Sequence, residues 1–409
     1  MGPAGDSLRI HNTLTRRKDR FASPDGRVRM YVCGVTPYDT THLGHARTYV
    51  VFDVLVRHLI HKGFRVDYVQ NITDVDDSIL ARARQLGESY RALGERYTAV
   101  FLEDIARLGL IPPAEIPLAS SAIEEMQEVI RRLLATGHAY RVDTGDVYLR
   151  VDSIPSYGRL SGLPRARMLE IESEQDGSTV DDPRKHDPLD ILLWKAKRPG
   201  EPSWDAPWGE GRPGWHIECS TLALRHLGKQ IDIHGGGADL TFPHHEAEIA
   251  QAEAVTGVRP FARFWVHVEM ALFEGRKMSK SDGNLVYVRD LLEDFSPDAV
   301  RLYLLSTHYR RPLDYSRASL EEAAGLARRL AEAANLSGLV PGGRNTSMPD
   351  FEARFLAALD DDLDTPQAVG LLPSLADGVH ADANGAYRAQ RALRKWCAYI
   401  GLGLESAAA

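Results

Sequence analysis

Two histidines, His42 and His45, bracket Leu43-Gly44 at the point where an apolar run gives way to a helical pattern. The N-terminus of a helix offers free N–H groups and a partial positive charge, and phosphates bind there for that reason. The stretch therefore indicates a nucleotide site formed by two imidazoles and the main chain. A single HxGH tetrapeptide is weak evidence, so the rest of the chain has to supply its partners.

A second candidate phosphate-binding stretch lies far downstream, where Lys277 and Lys280 stand three residues apart between Gly275 and Gly283. Lysine is a compact, mobile charge that suits a polyphosphate. Two such charges would stabilise the negative charge that develops on a leaving pyrophosphate. Taken alone, the run also fits a solvated basic turn; its combination with the two histidines favours phosphate binding.

Four residues of metal-binding type are scattered along the chain: Cys33, Cys219, His244 and Glu248. The last two are four residues apart on a predicted helix, so their side chains share one face. Together the four make a plausible zinc set. The alternative is that the cysteines are small buried hydrophobes and that the histidine caps a helix. A position inside the nucleotide pocket favours a metal that binds substrate over a purely structural one.

The elements that must position these residues follow from the hydrophobic pattern. The run Met30–Cys33 predicts a buried strand, and 65–71 a second strand. Between them the pattern predicts a helix that is capped by Thr40 or Thr41, begins around His42 to Gly44 and runs to His61. Such a unit makes the two strands parallel neighbours. Because ligands bind at the carboxyl ends of strands in doubly wound sheets, the segments 33–41 and 71–77 should face one pocket.

The remaining pattern indicates an interrupted fold. The turn 23–26 predicts a hairpin that leads into the first strand. The polar, strand-like stretch from about 137 to 200 indicates an insertion, after which the core resumes near Pro213. From Pro297 onward the pattern is helical almost to the end. The expected fold class is therefore α/β, with a Rossmann-like doubly wound parallel sheet, an inserted subdomain and a C-terminal helical domain.

Composition limits the function classes. A chain of 409 residues is expected to form two or three domains. It carries no apolar run of the roughly 20 residues that span a bilayer and no visible secretory signal. Three cysteines cannot form a disulfide framework, which favours a reducing cytoplasm. The net charge of −8 argues against a generally basic nucleic-acid coat, although a local basic stripe is compatible with it.

Taken together, the motifs resemble those of a class I aminoacyl-tRNA synthetase, and specifically the cysteinyl-tRNA synthetase family. His42-Leu-Gly-His45 resembles the HIGH signature, and Lys277–Ser281 matches the KMSKS signature letter for letter. Gly214-Trp-His-Ile-Glu-Cys219, 234–239 and 242–248 resemble the cysteine pocket of that family. The resemblance covers about residues 8–370 and implies a ligase that forms cysteinyl-adenylate, AMP and pyrophosphate.

The resemblance also implies roles for individual residues. One Zn²⁺ ion would be held by Cys33, Cys219, His244 and Glu248 and would bind the substrate thiolate, which rejects serine. ATP, with Mg²⁺, would be bound by His42, His45, Lys277 and Lys280. The remaining pocket residues would line the adenylate site: Gly34, Thr36, Thr48, Asn71, Thr73, Trp215, Gly237 and Asp239.

Two alternatives concern the acceptor and the activity. The loop Thr36-Pro-Tyr-Asp39 resembles that of mycothiol ligase, which joins cysteine to the amine of glucosaminyl-inositol, and a typical anticodon-binding domain is not evident. Glu248 and Tyr309–Ser316 resemble the synthetase instead, so tRNA-Cys is the expected acceptor. A paralogue that only binds cysteine or RNA is the remote alternative.

The resemblance suggests a division of the chain. Residues 1–110 form the first half of the catalytic core, 111–205 a connective insertion and 206–295 the second half with the KMSKS loop. Residues 296–345 form a helical region that contacts the tRNA stem, and 346–409 a short helical segment. The expected protein is a monomer that uses L-cysteine and ATP and has no membrane association.

Overall fold

The computed structural model describes residues 7–175, 177–278, 283–339, 348–381 and 385–404. The strands are β1 (Arg9–Asn12), β2 (Arg17–Arg20), β3 (Arg27–Val35), β4 (Arg65–Ile72), β5 (Ala139–Arg141), β6 (Val147–Leu149), β7 (Ile191–Ala196), β8 (Gly211–Pro213), β9 (Ile231–Gly237), β10 (Ala262–Val268), β11 (Ala271–Phe273), β12 (Arg276–Lys277) and β13 (Leu313–Tyr315).

The helices alternate with these strands in the first two thirds of the chain and dominate the last third. They are α1 (Leu43–His61), α2 (Asp77–Leu86), α3 (Tyr90–Arg107), α4 (Ile123–Ala135), α5 (Arg165–Ser173), α6 (Trp215–Leu227), α7 (His244–Thr256), α8 (Val288–Asp294), α9 (Pro297–Leu305), α10 (Arg317–Asn335), α11 (Met348–Asp360), α12 (Thr365–Ala381) and α13 (Ala386–Tyr399).

A parallel sheet in the order β10-β9-β3-β4 forms the centre of the molecule. Its strands are rich in buried apolar residues, as expected for a parallel sheet covered on both faces. The predicted unit of strand, helix and parallel strand is confirmed, with β3 and β4 in register from Arg27 opposite Arg65 to Val32 opposite Gln70. The carboxyl ends of these strands therefore meet along one edge.

Helix α1 begins at Leu43, as the pattern predicted, but its cap differs from the prediction. The N-cap is His42, whose Nδ1 accepts hydrogen bonds from the amides of Gly44 and His45. The expectation that Thr40 or Thr41 would cap the helix was therefore wrong. An imidazole nitrogen replaces the usual hydroxyl or carboxylate acceptor, which composition rules for caps do not anticipate.

The N-terminal strands also depart from the prediction. The turn at Ser23–Gly26 exists, since the Gly26 amide donates to the Ser23 carbonyl at 3.0 Å. However, β2 pairs with β1 in an antiparallel ribbon, while β3 pairs with β4 and β9. The predicted hairpin into β3 was wrong because the central sheet takes both edges of that strand.

A separate antiparallel sheet, β5-β6-β7-β8, is formed by strands between residues 139 and 213, so β8 lies beyond residue 200, where the sequence pattern ended the insertion. Charged groups join it to the central unit. The Lys195 ammonium and the Arg212 guanidinium each lie 2.6 Å from the Asp77 carboxylate at the start of α2. Both cations are almost completely buried, so this pairing fixes the inserted sheet beside the ends of the central strands.

The C-terminal helices pack on α1 and share one apolar core with its first turns. Buried Arg301 of α9 joins them, because its guanidinium donates to the Asp53 carboxylate of α1 at 2.5 Å and to the Ile400 and Leu108 carbonyls at 3.1 and 3.0 Å. No helix in the described part of the chain combines the length and apolarity that crossing a membrane requires.

A pair of glycine substitutions tests the packing of α1 on the sheet. A Cβ at Gly235 in β9 would lie 2.0 Å from the Phe52 ring, whereas a Cβ at Gly370 in α12 would meet no heavy atom within 4 Å. We expect Gly235→Ala to lower the free energy of unfolding by about 1–3 kcal/mol. Gly370→Ala should raise it by up to about 1 kcal/mol. Urea denaturation of both variants checks this, and equal effects would contradict the packing.

Candidate active site

The candidate metal ligands come from three elements that meet at the carboxyl edge of the central sheet. Cys33 lies near the end of β3, Cys219 on α6, and His244 and Glu248 on the first turns of α7. One ligand atom from each lies within 4.8 Å of those from the others, and all four side chains are buried. The scattered set that the sequence suggested is therefore brought together.

Two further histidines belong to the same cluster. His234 and His245 form a second group of possible ligands with Cys33 and Glu248. The Cys33 sulfur lies 3.3 Å from His245 Nε2 and 3.6 Å from His234 Nε2. Neither residue was predicted as a ligand, although both stand inside the motifs 234–239 and 242–248. The adjacent His244 and His245 give no sign in the sequence of which one faces the site.

The outer ring nitrogens of the α7 histidines are held by other imidazoles. His244 Nδ1 lies 2.9 Å from His216 Nδ1, and His245 Nδ1 lies 2.7 Å from His267 Nε2. Such contacts fix the orientation and tautomer of a ligating histidine. His267 is held in turn by the Thr13 hydroxyl at 2.7 Å. His216 and His267 were not among the predicted site residues.

The chemistry of the cluster fits a divalent cation. Glu248 is completely buried, and its Oε2 has no hydrogen-bond partner in the described part of the chain. Burial lowers the pKa of His244 and of His245 well below the ordinary histidine value, so these rings are neutral and do not compensate a carboxylate. Burial likewise raises the pKa of the Cys33 thiol. Sulfur, imidazole and carboxylate donors are the usual ligands of zinc.

A chain of hydrogen bonds lies beside this cluster. Asn71 Oδ1 accepts from the Gly34 amide at 2.9 Å, its Nδ2 donates to the Thr73 hydroxyl at 3.1 Å, and Thr73 donates to Glu218 at 2.8 Å. The Cys219 sulfur lies 3.6 Å from the same Asn71 oxygen. The ends of β3 and β4 are thus connected to α6.

Only glycine fits at position 34. A Cβ there would lie 1.5 Å from the Asn71 carbonyl oxygen, so the two strand ends could not approach each other with any larger residue. A glycine inside a strand often marks such a close approach of the main chain to a ligand or to another strand.

The other predicted pocket residues lie around the same edge. The Thr36 hydroxyl donates to Asp76 at 3.2 Å, and the Trp215 ring stacks on His244 with 4.4 Å between ring centres. Thr48 donates to the Gly44 carbonyl within α1 at 3.2 Å. The Thr48 hydroxyl is therefore already hydrogen-bonded within the helix.

The two signature histidines lie together at the start of α1. Their rings stack with 3.6 Å between centres. Burial lowers the pKa of His42 to about 4 and that of His45 well below its ordinary value. Both imidazoles are therefore neutral near pH 7. His42 Nδ1 already accepts from the amides of Gly44 and His45 at the helix N-terminus.

Residues 275–283, which contain Lys277 and Lys280, are called the lysine stretch below. Its described start, residues 275–278, approaches the glycine-rich end of β9. Lys277 Nζ lies 3.7 Å from Asp239 Oδ2, and both side chains are exposed. Asp239 follows Gly237, where β9 ends. Met278 is buried in the core that contains Leu43. Lys280 lies outside the described residues.

The chain matches the family model described as the catalytic domain of class I tRNA synthetases (C) over residues 21–325. A protein of Alkalilimnicola ehrlichii named Cysteine--tRNA ligase is 50% identical over 376 residues, which cover 91% of this chain and 79% of that relative. One of the same name from Marinobacter nauticus is 45% identical, covering 97% and 85%.

Solved structures of low identity share the fold. Mycobacterium tuberculosis methionyl-tRNA synthetase, in complex with methionyl-adenylate, is 17% identical with a TM-score of 0.62 and covers 91% of this chain and 89% of its own. The LeuRS of Agrobacterium radiobacter K84 is 13% identical with a TM-score of 0.63, covering 93% and 84%. The predicted α/β fold with a Rossmann-like core is thereby confirmed. Given the family match and the high identity of the relatives, this chain belongs to the cysteine–tRNA ligase family of class I tRNA synthetases.

Proposed function

We propose that this protein activates L-cysteine with ATP and transfers the cysteinyl group to tRNA-Cys, releasing AMP and pyrophosphate. The observation that carries the proposal is the buried group of two thiols, an imidazole and a carboxylate at the strand ends of a class I synthetase fold. Such donors bind zinc, and zinc binds thiolates strongly. The group is therefore suited to selecting an amino acid that bears a thiol.

The proposed zinc ligands are Cys33, Cys219, His244 and Glu248. These residues would hold a zinc ion, and the chemistry it would supply is a position for a thiolate that discriminates against the serine hydroxyl, a poorer ligand and a far weaker acid. Asn71 and Thr73 form the polar wall beside this position, Trp215 covers His244, and Gly34 and Thr36 line the approach from β3.

The proposed ATP contacts come from His42 and His45 on one side and from Lys277 and Lys280 on the other, with Gly237, Asp239 and Thr48 nearby in the adenylate site and Mg²⁺ accompanying the nucleotide. The neutral imidazoles hydrogen-bond the phosphates at the N-terminus of α1. The lysines stabilise the charge that develops on the leaving pyrophosphate. Adenylate formation then depends on positioning and electrostatics, with no covalent enzyme intermediate.

The acceptor is proposed to be tRNA-Cys because relatives up to 50% identical carry the name Cysteine--tRNA ligase. This weighs against glucosaminyl-inositol, which the loop Thr36–Asp39 had suggested.

The proposed division of the chain has a catalytic core formed by residues 1–110 and 206–295, with the insertion 111–205 between them. The region that contacts the tRNA stem is formed by residues 296–345, and a short helical segment by 346–409. We also propose a cytoplasmic monomer; all three cysteines are free and buried, in keeping with a reducing compartment.

Acceptor competition tests the proposal directly. Purified protein is incubated with L-cysteine and ATP, and with either tRNA-Cys or glucosaminyl-inositol. We expect acid-precipitable cysteinyl-tRNA and no cysteinylated sugar amine. Transfer to the sugar amine alone would overturn the acceptor, and absence of cysteine-dependent ATP–pyrophosphate exchange would overturn the enzymatic function.

The metal ligands are tested by a matched pair of cysteine substitutions. Cys219→Ser removes a proposed ligand, while Cys397→Ser changes a buried cysteine of α13. We expect zinc affinity to fall at least about 100-fold in Cys219→Ser, because loss of a ligand should exceed loss of an outer contact. Cys397→Ser should keep one zinc per chain. Metal analysis after dialysis measures both, and unchanged zinc in Cys219→Ser would refute the assignment.

The pH dependence of stability tests the neutral histidines. Between about pH 4 and the ordinary value of 6.5, an unfolded chain protonates His42 and the folded chain does not. The free energy of unfolding should therefore rise with pH across this interval. His42→Asn retains an N-cap acceptor and removes the titrating group, so its slope should be shallower. Urea denaturation at several pH values measures the slopes; identical slopes would contradict the buried, neutral state of His42.

A further inference from the structure

Arg47 lies two residues after His45 and is completely buried. Its acceptors in the described part of the chain are main-chain carbonyls. One terminal nitrogen donates to the carbonyls of Glu269 and Met270 at 3.0 and 2.9 Å. The other donates to the carbonyls of His308, at 3.1 Å, and Arg311. Burial lowers the pKa of Arg47 to about 10, which still leaves the guanidinium charged near pH 7.

The carbonyls that Arg47 binds belong to the two segments that lead into β11 and β13, next to the lysine stretch. Glu269 and Met270 join β10 to β11, and β11 pairs with β12, which ends at Lys277. Residues 308–311 precede β13, which pairs with β11 from the other side. The Leu313 amide donates to the Met270 carbonyl at 3.0 Å. Arg47 therefore holds the turn that leads into β11, and β11 pairs with β12, the strand that carries Lys277.

The other side of the stretch is tied to the same helix by main-chain contacts. The Leu43 amide donates to the Val286 carbonyl at 2.8 Å, and the Val288 amide donates to the Thr41 carbonyl at 2.9 Å. His42 and Tyr287 form an antiparallel bridge between these bonds. Both flanks of the stretch are thus anchored to the start of α1. On the upstream side the hydrogen bonds come from Arg47, beside apolar packing of Ala271 and Met278 in the core that contains Leu43.

We propose that Arg47 is a positioning residue. It holds β11, and through β11 the strand β12 that carries Lys277, in place beside the start of α1. The inference rests on the proposed function, since it assigns the two motifs to one polyphosphate. A guanidinium with donors in a fixed planar fork suits four acceptors from two segments, whereas a lysine ammonium cannot reach both pairs at once. Misplacing Lys277 should impair adenylate formation without disturbing the proposed zinc ligands at the strand ends.

The test compares Arg47→Met and Arg47→Lys with Arg301→Met. Arg301 is also a buried arginine that binds main-chain carbonyls and α1, but it is paired with Asp53 and lies away from the lysine stretch. The measurements are kcat and KM for ATP and for cysteine in ATP–pyrophosphate exchange, zinc content, and tryptic cleavage after exposed Arg276 and Lys277. All are made at a temperature at which each variant is folded.

We expect Arg47→Met to lower kcat about 100-fold, as misplacement of reacting groups by an ångström does, with KM for cysteine and zinc content unchanged. Cleavage after Lys277 should be faster than in the unaltered protein. Arg47→Lys should be intermediate in both respects. Arg301→Met should keep the kcat and the cleavage rate of the unaltered protein.

An unchanged kcat in Arg47→Met would overturn the inference. So would equal losses in Arg47→Met and Arg301→Met, or a loss of zinc and cysteine binding in proportion to kcat, because either pattern indicates a purely structural role. If Arg47→Met fails to fold, Arg47→Lys decides by the same criteria. Lack of exchange in the unaltered protein would instead overturn the proposed function.

Discussion

A carboxylate buried among thiols and imidazoles is the constraint on which the active-site region depends. Glu248 has no exposure, and one of its oxygens lacks a hydrogen-bond partner in the described part of the chain. Such a charge is costly unless a cation compensates it. Burial lowers the pKa of His244 and of His245, so these two neighbours are neutral. The proposed divalent metal would explain why β3, α6 and α7 all direct ligand atoms to this point.

The fold brings these elements together by close packing at the strand ends. Gly34 allows the end of β3 to touch the Asn71 carbonyl, and Gly235 accommodates the Phe52 ring of α1. The same edge carries the thiol site and the start of the histidine helix. The proposed sites for amino-acid selection and nucleotide binding therefore share one rigid frame, which favours the precise placement that an adenylate-forming reaction needs.

The sequence predicted the parts of this arrangement that depend on local pattern and chemical type. Periodicity identified β3, α1 and β4, and residue type identified Cys33, Cys219, His244 and Glu248 as a set that the structure brings together. It did not predict the imidazole cap of α1, the pairing of β2 with β1, or the participation of His234 and His245. The cap is a local contact, made by a residue type outside the usual cap preferences. The two histidines are instead placed beside Cys33 by contacts more than 200 residues apart in the chain, which leave no periodic signal.

The role suggested for Arg47 illustrates the same limit. Its position beside the HxGH motif gave no indication that its partners would be carbonyls more than 200 residues away. Fixed contacts of this kind join two motifs that are distant in sequence. The proposed chemistry therefore depends on tertiary structure as much as on the motifs themselves.

The central claim is that a zinc ion held by two protein thiolates accepts the thiolate of the substrate. X-ray absorption at the zinc edge measures the number of sulfur ligands directly. The account predicts two sulfur ligands, from Cys33 and Cys219, in the protein alone, three after L-cysteine is added, and two in the presence of L-serine. A sulfur count that does not change with L-cysteine, or that rises equally with L-serine, would contradict it.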